Sequence, residues 1–340
     1  MSYLLWIFYY IIVNRTTKLF FYRNTQLIKN MTSILLIAYK FNDIFYSLNT
    51  AEFKNADHKS LIIFETENVK KNDFPCLYLF DNVYSFRYSL STFSYLKILI
   101  IVTKSIKKIG MYANIVMFSN PVLAMNQFIS KLLKVSHIIL IEDGTMNYYH
   151  FTPRESISKK IIQNFLCINE KQFYEKIKKT YLLKSDIGKY YFGDKVDLKL
   201  SFHGLDSLID KYSYLEEKKI FVGQPLYAFN YCTIDVYNEL VNRIIIDLEI
   251  NYYLPHLFSS KEEKINAKYL NLNADHLTLE VLSSKYKLIL YSFGSSIVLS
   301  SKVINPDSKT NIIKYSSFTF KVSDILERNS DNIILYNDEL

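Results

Sequence analysis

Cysteine is scarce in this chain of 340 residues. The three present, Cys76, Cys167 and Cys232, lie far apart, and no CxxC pair or His/Cys cluster joins them. That argues against a disulfide framework and a structural zinc site, and reads as a cytosolic, reduced protein. Glycine (7) and proline (6) are also low, while hydrophobic residues reach 49% against 22% charged, a globular rather than a disordered composition. A membrane-spanning run is missing at the N-terminus. LLWIFYYIIV (4–13) is shorter than the roughly 20 apolar residues a spanning helix needs, and Asn14, Arg15 and Lys18 interrupt it before LFFY resumes. No small-residue cleavage site follows, so it does not read as a signal peptide. Residues 1–30 are expected to be an upstream extension or a peripheral membrane anchor, because MTSILLIAY at Met31 reads as a fresh domain start.

Tyrosine (29) and phenylalanine (24) are abundant, as are Ile, Lys and Asn. An AT-rich genome produces the same bias, so no single aromatic is given a role on composition. The net charge of +8 suits either solubility or a polyanionic partner. It is unevenly spread: residues 151–200 hold eleven Lys/Arg and six Asp/Glu. Zinc-finger spacing and an RNA-recognition aromatic motif are both missing there, which argues against nucleic acid as the partner.

From Met31 short apolar runs alternate with amphipathic segments. ILLIAY (34–39), SLIIFE (60–65), CLYLF (76–80), ANIVMFS (113–119) and SHIILIE (136–142) read as strands, and LAMNQFISKLLK (123–134) as a helix. The lysine-rich 155–185 segment reads as helical. KKIFVGQP (218–225), NYYLPH (251–256) and YKLILYS (286–292) read as further strands with their exit turns. Residues 233–249 predict a helix with Thr233 as N-cap and Val236, Leu240, Ile244 and Leu248 on one face. Strands alternating with helices predict a mainly parallel sheet covered on both sides, in two α/β halves divided near residue 200. The expected organisation is 31–200, 201–316 and a tail, 317–340, packing back.

In open α/β sheets ligands sit beyond the carboxyl ends of the strands, and four polar turns fall there. Glu142-Asp143-Gly144 places two carboxylates at a strand end: one can take a proton from a hydroxyl, and its neighbour can raise its pKa. His256, in Tyr253-Leu254-Pro255-His256, can donate to a phosphate or act as a general acid. Ser295 and Ser296 open a helix whose free N–H groups suit an anion. Gly223-Gln224-Pro225 is a fourth strand-end turn. Each also reads as an ordinary turn, loop histidine or serine N-cap.

Their order says more than any one of them. The string strand–EDG, strand–GQP, strand–PH, strand–GSS resembles the bacterial sialyltransferases of glycosyltransferase family 52, the lipooligosaccharide α-2,3-sialyltransferase family, over roughly residues 31–305. The resemblance implies an α/β GT-B fold, two Rossmann-like domains facing across a cleft, with the acceptor bound by the first and the nucleotide sugar by the second. It implies inverting transfer from CMP-sialic acid to a glycan or glycolipid hydroxyl, of terminal galactose, without a cofactor or metal. The lack of an Asp-x-Asp motif agrees with that. By the same resemblance Asp143 is the general base, Glu142 tunes it, and His256 assists the departing phosphate. Ser295 and Ser296 hold that phosphate, Glu280 binds the ribose, and Gly223, Gln224 and Pro225 line the donor side. Asp235 is the second choice of base. The resemblance also makes a homodimer and a place at the inner face of the bacterial plasma membrane expected, with the lysine-rich stretch docking on anionic lipid. One departure stands out: the residue after His256 is Leu257, not proline. Alternatives are a GT-B transferase using another nucleotide sugar, and a catalytically silent, membrane-associated homologue in polysaccharide assembly.

Overall fold

The computed structural model describes residues 31–65, 70–74, 76–87, 92–109, 112–148, 163–164, 168–202, 205–256, 259–275, 277–315 and 324–336. The segment 1–30, Leu257 and residues 151–162 of the basic stretch therefore lie outside the described residues.

Two parallel sheets organise the chain. The first contains β1 (Ser33–Ala38), β2 (His58–Glu65), β3 (Asn82–Arg87), β4 (Ile115–Phe118), β5 (His137–Ile141), β6 (Ile177–Leu182) and β7 (Asp194–Asp197), in the order β3-β2-β1-β4-β5-β6-β7. The second contains β8 (Lys219–Val222), β9 (Tyr252–Leu254), β10 (Lys268–Tyr269), β11 (Ile289–Ser292), β12 (Lys309–Tyr315) and β13 (Asn332–Tyr336), ordered β10-β9-β8-β11-β12-β13. Every pairing is parallel, from Leu36 opposite Leu61 to Tyr315 opposite Tyr336. Each sheet starts in its middle, runs to one edge, then returns and runs to the other. That puts a topological switch point, where a crevice opens, between β1 and β4 and again between β8 and β11.

Period-2 alternation explains why the central strands read as unbroken apolar runs: both faces are covered. Along β1, Ile34, Leu36 and Ala38 join one core, while Leu35 and Ile37 join another with Phe118 and Ile138. Along β8, Ile220 and Val222 face the first of these and Phe221 faces a third, with Tyr253 and Ile313. The Ile34 core is continuous with the Ile220 side, so one apolar mass connects the two halves.

Several expectations are corrected. CLYLF is not a strand: Leu77–Leu79 is a 3-10 turn, and the strand is the following NVYSFR, half exposed because β3 is the edge of its sheet. Residues 177–182, expected as helix, form β6, whose Ile177, Thr180, Tyr181 and Leu182 are buried between β5 and β7. The helix Ile234–Asp247 forms with Thr233 accepting from the Val236 amide at 3.3 Å, but its inner face is shifted by one residue. Tyr237, Leu240, Val241, Ile244 and Ile245 are buried, whereas Val236 is exposed. Of the tail, Asp324–Arg328 is helical and Asn332–Tyr336 pairs with β12.

Candidate functional site

The carboxyl ends of both sheets line one cleft of about 1740 Å³. From the first half come the exits of β1 (Tyr39 to Asn42), β4 (Ser119, Asn120) and β5 (Asp143); from the second, Gly223, Pro255, His256, Glu280, Ser295 and Ser296.

The two carboxylates at the end of β5 have separate fates. Glu142 points inward and is 1% exposed. It accepts from the Tyr148 hydroxyl at 2.5 Å and the Leu183 amide at 2.6 Å, so it joins the β5 exit to the end of β6. Burial, only partly offset by those donors, raises its pKa to about 7. Asp143 faces the cleft. Its amide donates to Asn147 Oδ1 at 2.7 Å, which fixes the turn, and its Oδ1 lies 2.6 Å from Lys40 Nζ. Burial opposes the ammonium of Lys40, but Asp143, Asp43 and Glu142 outweigh it and hold its pKa above the ordinary value. Asp43, wholly buried, accepts from the amides of Tyr39 and Lys40 at 2.8 and 3.1 Å and so presents Lys40 to the site.

Gly144 is required twice over. Its φ of +86° suits glycine, and a Cβ there would lie 2.6 Å from Ser296 Oγ, in the other half of the molecule. The acidic turn and the paired serines therefore touch across the cleft. On the far side Ser292 Oγ accepts from the amides of Gly294 and Ser295 at 3.2 and 3.0 Å. Ser295 caps the nine-residue helix Ser296–Ile304, accepting from Ile297 at 3.4 Å. Small hydroxyl residues at this sharp turn aim the helix N-terminus, with its positive dipole end, at the cleft.

Glu280 is 3% exposed yet lines the cleft. Its Oε1 accepts from Asn42 Nδ2 at 2.8 Å, a second bridge between the halves, and from Ser300 Oγ at 3.2 Å. Among the described residues its Oε2 has no hydrogen-bond partner. His256 is held by its amide on Ser259 Oγ at 3.0 Å. Burial, then the charge of Lys40, lowers its pKa to about 4, so it is a neutral imidazole at pH 7. Gly223 leaves no room for a Cβ, which would lie 2.5 Å from the Tyr253 hydroxyl. The Gln224 amide bonds Tyr237 Oη at 3.3 Å, its Oε1 is buried without a partner among the described residues, and Pro225 is buried. Neither of these two side chains is among the cleft lining.

The structure thus brings Asp143, His256, Glu280, Ser295, Ser296 and Gly223 to one cleft and keeps Glu142 behind it. Asp235 does not line it: it sits exposed in the first helical turn after Thr233, where the dipole favours an acid. Lys40 and Asn42 were missed. A lysine just past a strand reads as a solvated charge, and only the fold reveals a partner 103 residues on. The signal available was AYKFND itself, a charged and amide-bearing exit from the most apolar strand.

No protein-family model matches the chain, and no curated protein matches it. Solved structures do. The chain is similar to the spinosyn forosaminyltransferase SpnP (TM-score 0.51, 9% identity, 91% of this chain and 86% of that one). It is also similar to the glycotransferase of kitacinnamycin (0.49, 7%, 90% and 86%). A third is the UDP-GlcNAc 2-epimerase of Methanocaldococcus jannaschii in complex with UDP-GlcNAc and UDP (0.48, 14%, 90% and 89%). At such identities the likeness concerns the backbone. With the two sheets and the cleft between them, it shows an α/β GT-B fold: two Rossmann-like domains facing each other.

Proposed function

We propose that this chain is an inverting glycosyltransferase that moves sialic acid from CMP-sialic acid to a hydroxyl, of terminal galactose, on a bacterial surface glycan such as lipooligosaccharide or capsule. The observation that carries this reading is the meeting of Gly144 with Ser296. It sets a cleft-facing carboxylate of one domain against a helix N-terminus and two hydroxyls of the other. Glycosyl transfer needs that opposition: a base for the acceptor hydroxyl on one side and donors for the leaving phosphate on the other. The fold shared with a forosaminyltransferase supports the class.

In this reading Asp143 takes the proton of the acceptor hydroxyl. Lys40 occupies Oδ1 and orients the carboxylate, and Oδ2 receives the proton. The acceptor oxygen bonds to the anomeric carbon as the bond from that carbon to the phosphate oxygen breaks. The charge developing on CMP falls to the Ser296 N–H and the hydroxyls of Ser295 and Ser296, with neutral His256 as a hydrogen-bond donor. Glu280, with an unpartnered oxygen at the cleft, accepts from the ribose hydroxyls. Glu142, locked between Tyr148 and Leu183, positions the β5 exit and does not touch substrate. No cofactor or metal enters these steps. The enzyme works as a peripheral protein, and as a homodimer, at the inner face of the plasma membrane, its basic stretch against anionic lipid. Among the described residues no helix is long and apolar enough to cross a membrane.

The test is CMP release from CMP-N-acetylneuraminic acid with a galactose-terminated acceptor, for wild type and Asp143→Asn. Turnover is expected to fall by about 10²–10⁴ in the variant, while CMP still raises its melting temperature. A wild type stabilised by UDP but not CMP would move the donor to a UDP-sugar. Stabilisation by no nucleotide would leave a silent homologue.

A further inference from the structure

The acceptor half of the cleft extends well past Asp143. Its far end is formed by Arg87, the last residue of β3, and by Lys97, Ile98 and Ile101 of the helix Thr92–Ile109. In the sheet order β3 lies four strand spacings from β5, about 19 Å at the usual separation. Arg87 and Lys97 are exposed, and among the described residues neither side chain makes a hydrogen bond or an ion pair. The acid nearest to Arg87 in register, Glu65, is engaged by the Lys71 amide at 3.0 Å. Of the other acids at the cleft, Asp143 pairs with Lys40, Glu280 accepts from Asn42 and Ser300 through Oε1 alone, and Glu262 stands exposed beside Lys261 on the opposite wall, away from Arg87 and Lys97 in the chain. On the opposite wall Lys261 is a third exposed cation, whose side chain makes no hydrogen bond or ion pair among the described residues. Phe86, packed on Phe64, and Ile98 give this end an apolar floor.

Unpaired cations flanking an apolar floor, far along a cleft from the base, suit an elongated ligand with an acid at its distant end. We infer that the Arg87–Lys97 end is a subsite for an anionic group, a carboxylate or a phosphate, carried by the acceptor glycan several sugar units from the accepting hydroxyl. A guanidinium matches either group with two parallel hydrogen bonds, and Lys97 adds a point charge. The subsite selects acidic oligosaccharides over neutral ones of equal length. This inference rests on the glycosyltransferase reading for the word acceptor, but its test does not need turnover.

The probes are a fluorescent galactose-terminated tetrasaccharide bearing one phosphate on its reducing-end sugar and its dephosphorylated twin. Binding is titrated by anisotropy for wild type and Arg87→Gln/Lys97→Gln. Wild type is expected to bind the phosphorylated probe at least tenfold more tightly, with the advantage shrinking as salt rises. The double variant is expected to bind both probes as wild type binds the neutral one. Equal binding of the two probes by wild type, or an advantage that survives in the double variant, overturns the inference. So does binding of phosphatidylglycerol vesicles through the same two residues with no glycan preference, which would make this end a membrane surface. CMP protection against thermal unfolding, measured on the same samples, separates the failures: its loss in wild type sinks the sialyl-transfer reading and leaves the glycan discrimination standing.

Discussion

The two walls of the cleft are built on the same topology and carry opposite electrostatics. The first wall uses ionised groups in pairs: Asp143 against Lys40, and Lys40 in turn presented by Asp43. Apart from the carboxylate of Glu280, the second wall offers neutral groups: Ser295, Ser296, a helix N-terminus and an imidazole kept uncharged by burial. Behind it lies a buried chain of hydroxyls on Glu263, which accepts from Tyr227 at 2.7 Å and Tyr253 at 2.8 Å. Tyr227 Oη in turn accepts from the Ser260 amide at 2.6 Å, and Tyr237 Oη from the Gln224 amide at 3.3 Å. The network therefore fixes the β8 turn and the loop after His256 together. The difference teaches a division of labour. On the proposed reading, the wall that accepts the proton keeps a carboxylate oriented by a cation. On the same reading, the wall that receives the dianionic leaving group offers dipoles, which bind it without competing counterions.

The comparison breaks most completely where the walls touch. Gly144→Val is expected to lower the melting temperature by several degrees, since a β-branched residue at φ +86° costs about 1–2 kcal/mol before any clash. It is also expected to cut kcat/KM more than tenfold, because its Cβ must displace Ser296 and hold the walls apart. Melting curves and steady-state kinetics measure the two effects. An unaltered kcat/KM would mean that the walls do not work in contact.

Next in size is the neutral wall itself. Ser296→Ala is expected to weaken CMP about fivefold, the worth of one ordinary hydrogen bond, with no loss of stability. Ser295→Ala is expected to weaken CMP similarly and to destabilise the protein by about 1 kcal/mol, because Ser295 is also the N-cap of its helix. Nucleotide titration together with denaturant unfolding separates the binding role from the capping role. Equal stability in the two variants would contradict it.

How far this comparison could be read from the sequence follows from where each signal lives. Strands buried on both faces, β1, β5, β8 and β11, announce themselves as apolar runs, and Thr233 marks its helix start by residue type alone. Edge and amphipathic strands do not. β3 alternates weakly at the sheet edge, and the more apolar CLYLF beside it draws the eye. β6 carries Lys178 and Lys179 within a lysine-rich stretch, so its buried residues are masked by charge. In the site, the strand-end acids and serines were legible because turns at carboxyl ends are short and polar. That Glu142 turns inward and Asp143 outward was not, since adjacent residues on one turn can exchange faces with a small change in backbone angle. Lys40 and Asn42 owe their roles to partners 103 and 238 residues away, which local pattern cannot supply.

The smaller predictions concern protons, and they have opposite signs on the two walls. His256 has its folded pKa lowered from 6.5 to about 4. The stability it confers is fully present above pH 6.5 and is lost as pH falls toward 4. His256→Gln is therefore expected to lessen the fall in melting temperature between pH 6.5 and 4. An unchanged acid slope would mean that the imidazole is solvated in the folded protein.

Glu142 runs the other way. Its folded pKa is raised from 4.5 to about 7, so its contribution is present below pH 4.5 and is lost as pH rises through 7, where the buried group must ionise. Glu142→Gln keeps an oxygen to accept from Tyr148 and Leu183 and removes that ionisation. Wild type and variant should thus melt together near pH 5 and diverge by pH 8, with the variant the more stable. Turnover at pH 7 should change little, since Glu142 stands behind the cleft and Asp143 in it. A large loss of turnover in Glu142→Gln with the melting curves unaltered would reverse the assignment of the two carboxylates, and with it the reading of the charged wall.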